Sequence, residues 1–159
     1  MFDLSKVTAV LLCFLMTACT NVAQGPMYSP KNALQAGETG IYVYTKESHH
    51  FISGFAPELY LDGKLLGPLP NGGYFYARLT AGSHVVAVKY KSTVITSLTN
   101  DLAFTLNKHQ IKYFEGRWEY ANREVMMSTL TMVPEYEWRL HAVSAQDGVH
   151  DVTQLPLSQ

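Results

Sequence analysis

The chain has 159 residues, with 12 Lys+Arg against 13 Asp+Glu, a formal net charge of −1, 47% hydrophobic residues and 16% charged residues. That balance excludes a disordered polyampholyte and a polybasic nucleic-acid binder. Both cysteines, Cys13 and Cys19, fall near the start, which excludes a disulfide scaffold or a cysteine zinc site in the body; the length fits one domain.

Residues 1–18 have the three parts of a secretory signal peptide: a short polar start with Lys6, an apolar core from Val7 to Met16, and the small pair Thr17-Ala18. The apolar run is about ten residues, half of the roughly 20 that a bilayer span needs. The competing reading is an ordinary signal peptide or a buried N-terminal helix, with Cys19 incidental. Leu15-Met16-Thr17-Ala18-Cys19 resembles the lipobox of bacterial lipoproteins, in which the cysteine becomes residue one and carries lipid. The resemblance implies lipidation at Cys19. Thr20, where an aspartate would favour the inner membrane, implies the outer membrane. Cleavage would leave a body with no other thiol, which suits an oxidising periplasm. Several acyl chains, at about 0.8 kcal/mol per buried CH₂, anchor stably where one does not.

Residues 19–36 are small and polar, broken by Gly25, Pro26 and Pro30, and predict a flexible linker roughly 20–25 Å end to end. A β-rich domain is expected over 37–145. In Gly40 to Lys46, Ile41 and Val43 alternate with Tyr42 and Tyr44. Glu58 to Gly67 predicts a strand, a tight turn at Asp62-Gly63 and a second short strand. Asn71 to Tyr90 predicts a hairpin about Thr80-Ala81-Gly82, in which Phe75, Ala77 and Leu79 alternate with Tyr74, Tyr76 and Arg78. Further strands are expected over Leu102 to Leu106, His109 to Tyr113 after an Asn107-Lys108 turn, and Val125 to Val133. Glu115, Glu119 and Glu124 beside Arg117 and Arg123 read as a solvated loop around Trp118 and Tyr120. After Pro134 either a strand or a short helical turn fits. Residues 146–159 read as a weakly ordered tail. Short strands with turn signals roughly every 8–12 residues predict an all-β fold, a small antiparallel β-sandwich of the transthyretin or immunoglobulin kind.

Three stretches carry a resemblance: Leu59-Tyr60-Leu61-Asp62-Gly63-Lys64-Leu65-Leu66-Gly67, then Gly73-Tyr74-Phe75, then Leu79-Thr80-Ala81-Gly82-Ser83-His84. Together they resemble a domain-of-unknown-function family of small bacterial envelope lipoproteins with a PEGA-like β-sandwich domain. The similarity runs from about Thr39 to Met132. It implies a fold and an address, and no catalytic residues come with it.

The six histidines are the first candidates for chemistry. His49 and His50 are adjacent, so on an extended chain they point to opposite faces. His84, His109, His141 and His150 lie in separate segments, without metal-ligand spacing. Neither a metal nor another cofactor is expected. Ser83-His84 are chain neighbours rather than a spatial pair, and no nucleophile elbow occurs. An enzyme is therefore not expected, a metal-dependent periplasmic hydrolase being the remote alternative. The remaining candidate is aromatic. Tyr42, Tyr44, Tyr60, Tyr74 and Tyr76, with Arg78, fall on the phase opposite the aliphatic set and could form an interaction face, since Tyr and Arg are common at interface hot spots. The competing reading is that these rings cover one another, or pack under the linker or the 49–55 loop. The expected function is a non-catalytic, lipid-anchored binding or structural module on the periplasmic face of the bacterial outer membrane. Its expected contacts are the membrane, through the N-terminal lipid, and an envelope protein; nucleic acid is not among them. The alternative is a lipoprotein component of a secretion machine.

Overall fold

The computed structural model describes residues 23, 25, 27–29, 33–47, 56–90, 98–128 and 131–158, with backbone only at 90, 98–99 and 121–137. The expected signal peptide, Cys19 and the His49-His50 pair lie outside the described residues. Eight strands follow in chain order: β1 (Gly40–Thr45), β2 (Glu58–Leu61), β3 (Lys64–Pro68), β4 (Tyr74–Arg78), β5 (Gly82–Tyr90), β6 (Leu98–Leu106), β7 (Ile111–Ser128) and β8 (Thr131–Val143). One helix, α1 (Ala145–Val152), closes the series. The strands form two four-stranded sheets, β4-β1-β7-β8 and β3-β2-β5-β6, packed as a sandwich.

The alternation read from sequence sets the core. Ile41 and Val43 from the first sheet meet Leu59, Leu61, Val86 and Val88 from the second, all buried, and Phe75, Ala77 and Leu79 pack against them. Between β2 and β3 the chain reverses at Asp62 (φ 48°) and Gly63 (φ 79°). Positive φ at both central residues is the primed geometry that matches strand twist. A Cβ on Gly63 would meet nothing, so glycine is needed there for its backbone alone.

Four expectations are corrected. β4 and β5 are not a hairpin: β4 pairs with β1 and β5 with β2 and β6, so Leu79 to Ala81 carry the chain from one sheet to the other. A short connection fits either a hairpin or a corner, and only the choice of partners separates them. Second, the sandwich is not wholly antiparallel, because β1 and β7 run parallel from Gly40↔Ile111 to Thr45↔Gly116. Parallel neighbours need a long crossover, and the whole second sheet supplies it. Third, the stretch around Trp118 and Tyr120 is strand, paired with β8 through Trp118↔Trp138 and Tyr120↔Tyr136. Pro134 lies within β8, so of the two readings after it the strand holds.

The fourth correction concerns both ends. Residues 145–152 are helical because Ser144 caps them: its Oγ accepts the Asp147 N–H at 3.2 Å and donates to the Asp147 carboxylate at 2.7 Å. Asp147 in the first turn and His150 in the last suit the helix dipole. Past α1 the chain lies along the free edge of β4, where Tyr74 N–H donates to Pro156 and Ser158 N–H to Tyr74. The expected linker is docked too, in its described residues. Met27 bridges Pro156, Tyr28 N–H donates to Leu155, and Ala23, Ala33 and Leu34 are buried. These segments blunt a sheet edge that would otherwise expose unpaired backbone.

Replacing Gly63 with valine should lower the unfolding free energy by more than about 1 kcal/mol in urea titration, through strain at positive φ with no steric clash.

Candidate functional site

The tyrosine set is not a single exposed face. Tyr42, Tyr44 and Tyr74 are 2%, 0% and 1% exposed, on the outer face of the first sheet. With Ala33, Leu34, Tyr113 and Val152 they form a second core beneath α1 and the two terminal segments. Tyr42 is its hub, stacked on Tyr113 with centroids 5.2 Å apart and tilted against Tyr74 and Tyr76 at 6.0 and 6.1 Å. Each buried ring removes about 150–250 Å² from water, roughly 4–6 kcal/mol of gross transfer free energy. The hydroxyls keep partners: Tyr42 accepts the Leu34 N–H at 2.8 Å, and Tyr44 donates to Asp151 at 2.7 Å. Burial pushes both phenols well above their ordinary pKa. Tyr60 lies apart, on the second sheet, with Lys89 Nζ 4.3 Å from its ring centroid and its hydroxyl on Glu58. Arg78 is exposed, 5.7 Å over Tyr76 and bonded to Glu38 at 2.8 Å. The expected interface is thus mostly interior, because the helix and terminal segments supply the cover that strand alternation alone could not reveal.

One open depression, about 280 Å³, is lined by Asp62, Ser83, His84, Val85, Ala103, Phe104 and Thr105. Here the structure joins two residues that the sequence had held apart. Asp62 is presented by the β2–β3 turn and His84 by β5, with Nδ1 2.7 Å from the Asp62 carboxylate. Nε2 lies 3.0 Å from the Thr80 carbonyl, and the other Asp62 oxygen accepts the Val85 N–H at 2.9 Å. Both partners of the ring are acceptors, an arrangement that favours the protonated imidazole, in which both ring nitrogens donate. The Asp62 carboxylate raises the His84 pKa, and the His84 bond lowers that of Asp62. With both nitrogens engaged, His84 has no lone pair for a metal ion or for a serine proton. Its geometry is that of a clamp fastening the β2–β3 turn to the Thr80 corner.

A second cluster sits where β1 ends. Lys46 Nζ lies 2.9 Å from Asp151 and 3.7 Å from Glu115, and a notch of about 100 Å³ opens beside them against Trp118 and Trp138. Arg117 and His141 both reach Glu119 at 3.0 Å. Asp151 chiefly holds the Lys46 pKa up. The strand period could have revealed this array, since Glu115, Arg117 and Glu119 alternate with Phe114, Gly116 and Trp118. The cations of Lys46 and Arg117 here face the carboxylates of Asp151, Glu115 and Glu119. Among the described residues no three His, Cys, Asp or Glu side chains gather to hold a metal.

Two measurements test these assignments. Tyr42→Ala should cost about 3–5 kcal/mol of stability, as for other large buried rings, whereas Tyr60→Ala should cost about 1 kcal/mol or less. The clamp should depend on pH in a definite direction. His84's raised pKa makes its contribution complete below the ordinary 6.5 and lost as pH rises through the raised value; Asp62's lowered pKa makes its contribution complete above 3.8 and lost as pH falls through the lowered one. The stability difference between the native chain and Asp62→Asn should therefore peak between those two values and shrink by pH 9 (about 2.5 units above an ordinary histidine pKa), measured by urea unfolding.

Comparison with known proteins gives a family and no more. Neither curated proteins nor solved structures yield a match. A family model described as "Protein of unknown function (DUF2846)" matches residues 35–129, from the segment before β1 through the end of β7. The chain belongs to the DUF2846 family.

Proposed function

We propose that this chain is a non-catalytic module held at the periplasmic face of a bacterial outer membrane by lipid on Cys19, in the manner of small envelope lipoproteins with PEGA-like domains. The observation that carries this reading is the arrangement Leu15-Met16-Thr17-Ala18-Cys19 at the end of a short apolar run. His84, a histidine with a carboxylate beside it, supports the non-catalytic part, because its ring is spent on a turn. The docked N-terminal segment supports the tether: Ala23, four residues along the chain from Cys19, is buried against the domain. An envelope protein is the partner this address favours.

Cys19→Ser should abolish incorporation of labelled palmitate and move the protein out of the outer-membrane fraction, either as a soluble form or as uncleaved precursor. A variant that still sediments with the outer membrane and still carries palmitate would sink the proposal.

A further inference from the structure

β7 and β8 outrun the sandwich. β1 accompanies β7 only as far as Gly116, whereas β7 and β8 stay paired from Tyr113↔Val143 out to Ser128↔Thr131. Beyond Gly116, and among the described residues, β7 pairs only with β8, so the two make a two-stranded arm. Past Trp118, which packs against the sandwich core, the ten residues Glu119 to Ser128 span about 33 Å at full strand rise, less at the irregularities after Tyr120 and Met126. A lone two-stranded ribbon is marginal in water.

The arm is graded along its length. Its base sets Arg117 against Arg139, Trp118 against Trp138, Glu119 against Glu137 and Tyr120 against Tyr136. Tyr120 is half exposed. Farther out the register sets Val125 against Val133 and Met126 against Met132, and no charged residue falls between Glu124 and Glu135. Charged and aromatic residues followed by an uncharged, apolar end is the order found on crossing from water into a bilayer interface.

Direction is an independent observation. The arm leaves from the end of the sandwich where β1 stops at Thr45. The N-terminal segment meets the domain at the same end: a Cβ on Gly73 would lie 2.5 Å from that of Ala23, and the Gly73 carbonyl accepts the Thr45 N–H. From Ala23 back to Cys19 the chain can span at most about 14 Å. A leash that short, beside an arm more than twice its length, brings the arm's outer end to the surface in which the leash is rooted. The opposite end of the sandwich carries the tight Asp62-Gly63 turn and the Asn107 to Gln110 turn, with Lys64 and Lys108 exposed.

We propose that the outer end of the arm, Val125 to Met127 with Met132 and Val133, enters the interfacial zone of the bilayer beside the anchor, as a second membrane contact. The inference rests on the lipid anchor proposed above. Two attachments at one end fix the orientation of the domain, whereas one lipid alone leaves it free to swivel.

The test uses lipidated protein, in which Cys19 is blocked as a thioether, carrying one new thiol: Met132→Cys, its cross-strand neighbour Met126→Cys, or Lys108→Cys at the opposite end. Each is labelled with an environment-sensitive fluorophore and reconstituted into phosphatidylethanolamine–phosphatidylglycerol vesicles with and without nitroxide-bearing lipid. Palmitate is read on the same preparations. Probes at Met132 and Met126 should shift to the blue and lose about half or more of their emission to the nitroxide, as expected for groups about 5–10 Å below the headgroups, while the Lys108 probe is unaffected. Palmitate-bearing protein whose two arm probes ignore the nitroxide overturns the arm alone. Quenching without palmitate upholds the arm and removes the anchor, and absence of both removes both.

Discussion

The fold depends on one strand being buried on both faces. β1 offers Ile41 and Val43 to the sandwich interior and Tyr42 and Tyr44 to the layer beneath α1, and all six of its residues are buried. A strand so placed cannot slip by one residue, because slippage would exchange aliphatic for phenolic side chains on both sides at once. Its neighbours inherit that register: β4 on one edge, β7 on the other, and through β7 the arm. The hydroxyls make the outer layer selective as well as apolar, since Tyr42 and Tyr44 need the Leu34 amide and the Asp151 carboxylate where they are.

The two ends of the sandwich differ in kind. At one, short connections are pinned by charge: Asp62 with His84, and Glu38 with Arg78. At the other, strands overrun their partners and the chain's N-terminal segment joins. Exposed ion pairs add little to stability and much to local geometry. The clamped end is therefore shaped without depending on a large local core. At the far end Trp118 lies partly inside, with Trp138 buried over Gly116, where any Cβ would collide with the indole at 1.9 Å.

What the sequence disclosed was local. The alternation in Gly40 to Thr45 and the Asp62-Gly63 turn need only neighbouring residues, and both stand as read. What it hid was partnership. Leu79 to Ala81 look the same as a hairpin loop or as a corner, and β4 and β5 take different partners. The polar string Glu115, Arg117, Glu119 masked a strand because charge drew more notice than its period. Gly148 is a weak helix former, yet it lets the Tyr113 ring lie against α1, where a Cβ would come within 2.2 Å. The address read from the first nineteen residues lies outside the described residues, and the Asp62–His84 clamp required a fold to bring two distant positions together.

The tyrosine layer also has a kinetic character. It is assembled from Tyr28, Tyr42, Tyr74, Tyr113, Val152 and Leu157, residues drawn from nearly the whole span of the described chain. Contacts of such high order close late, after the loops between them have lost their freedom. The second sheet, in which β2 pairs with β3 and β5, and β5 with β6, closes shorter loops and can condense first. The layer then behaves as the last cooperative unit to form and the first to open. The Tyr28 and Tyr74 amides, bonded to Leu155 and Pro156, are expected to exchange through openings smaller than global unfolding. In such an opening the terminal segments lift together, because each holds the other to the edge of β4.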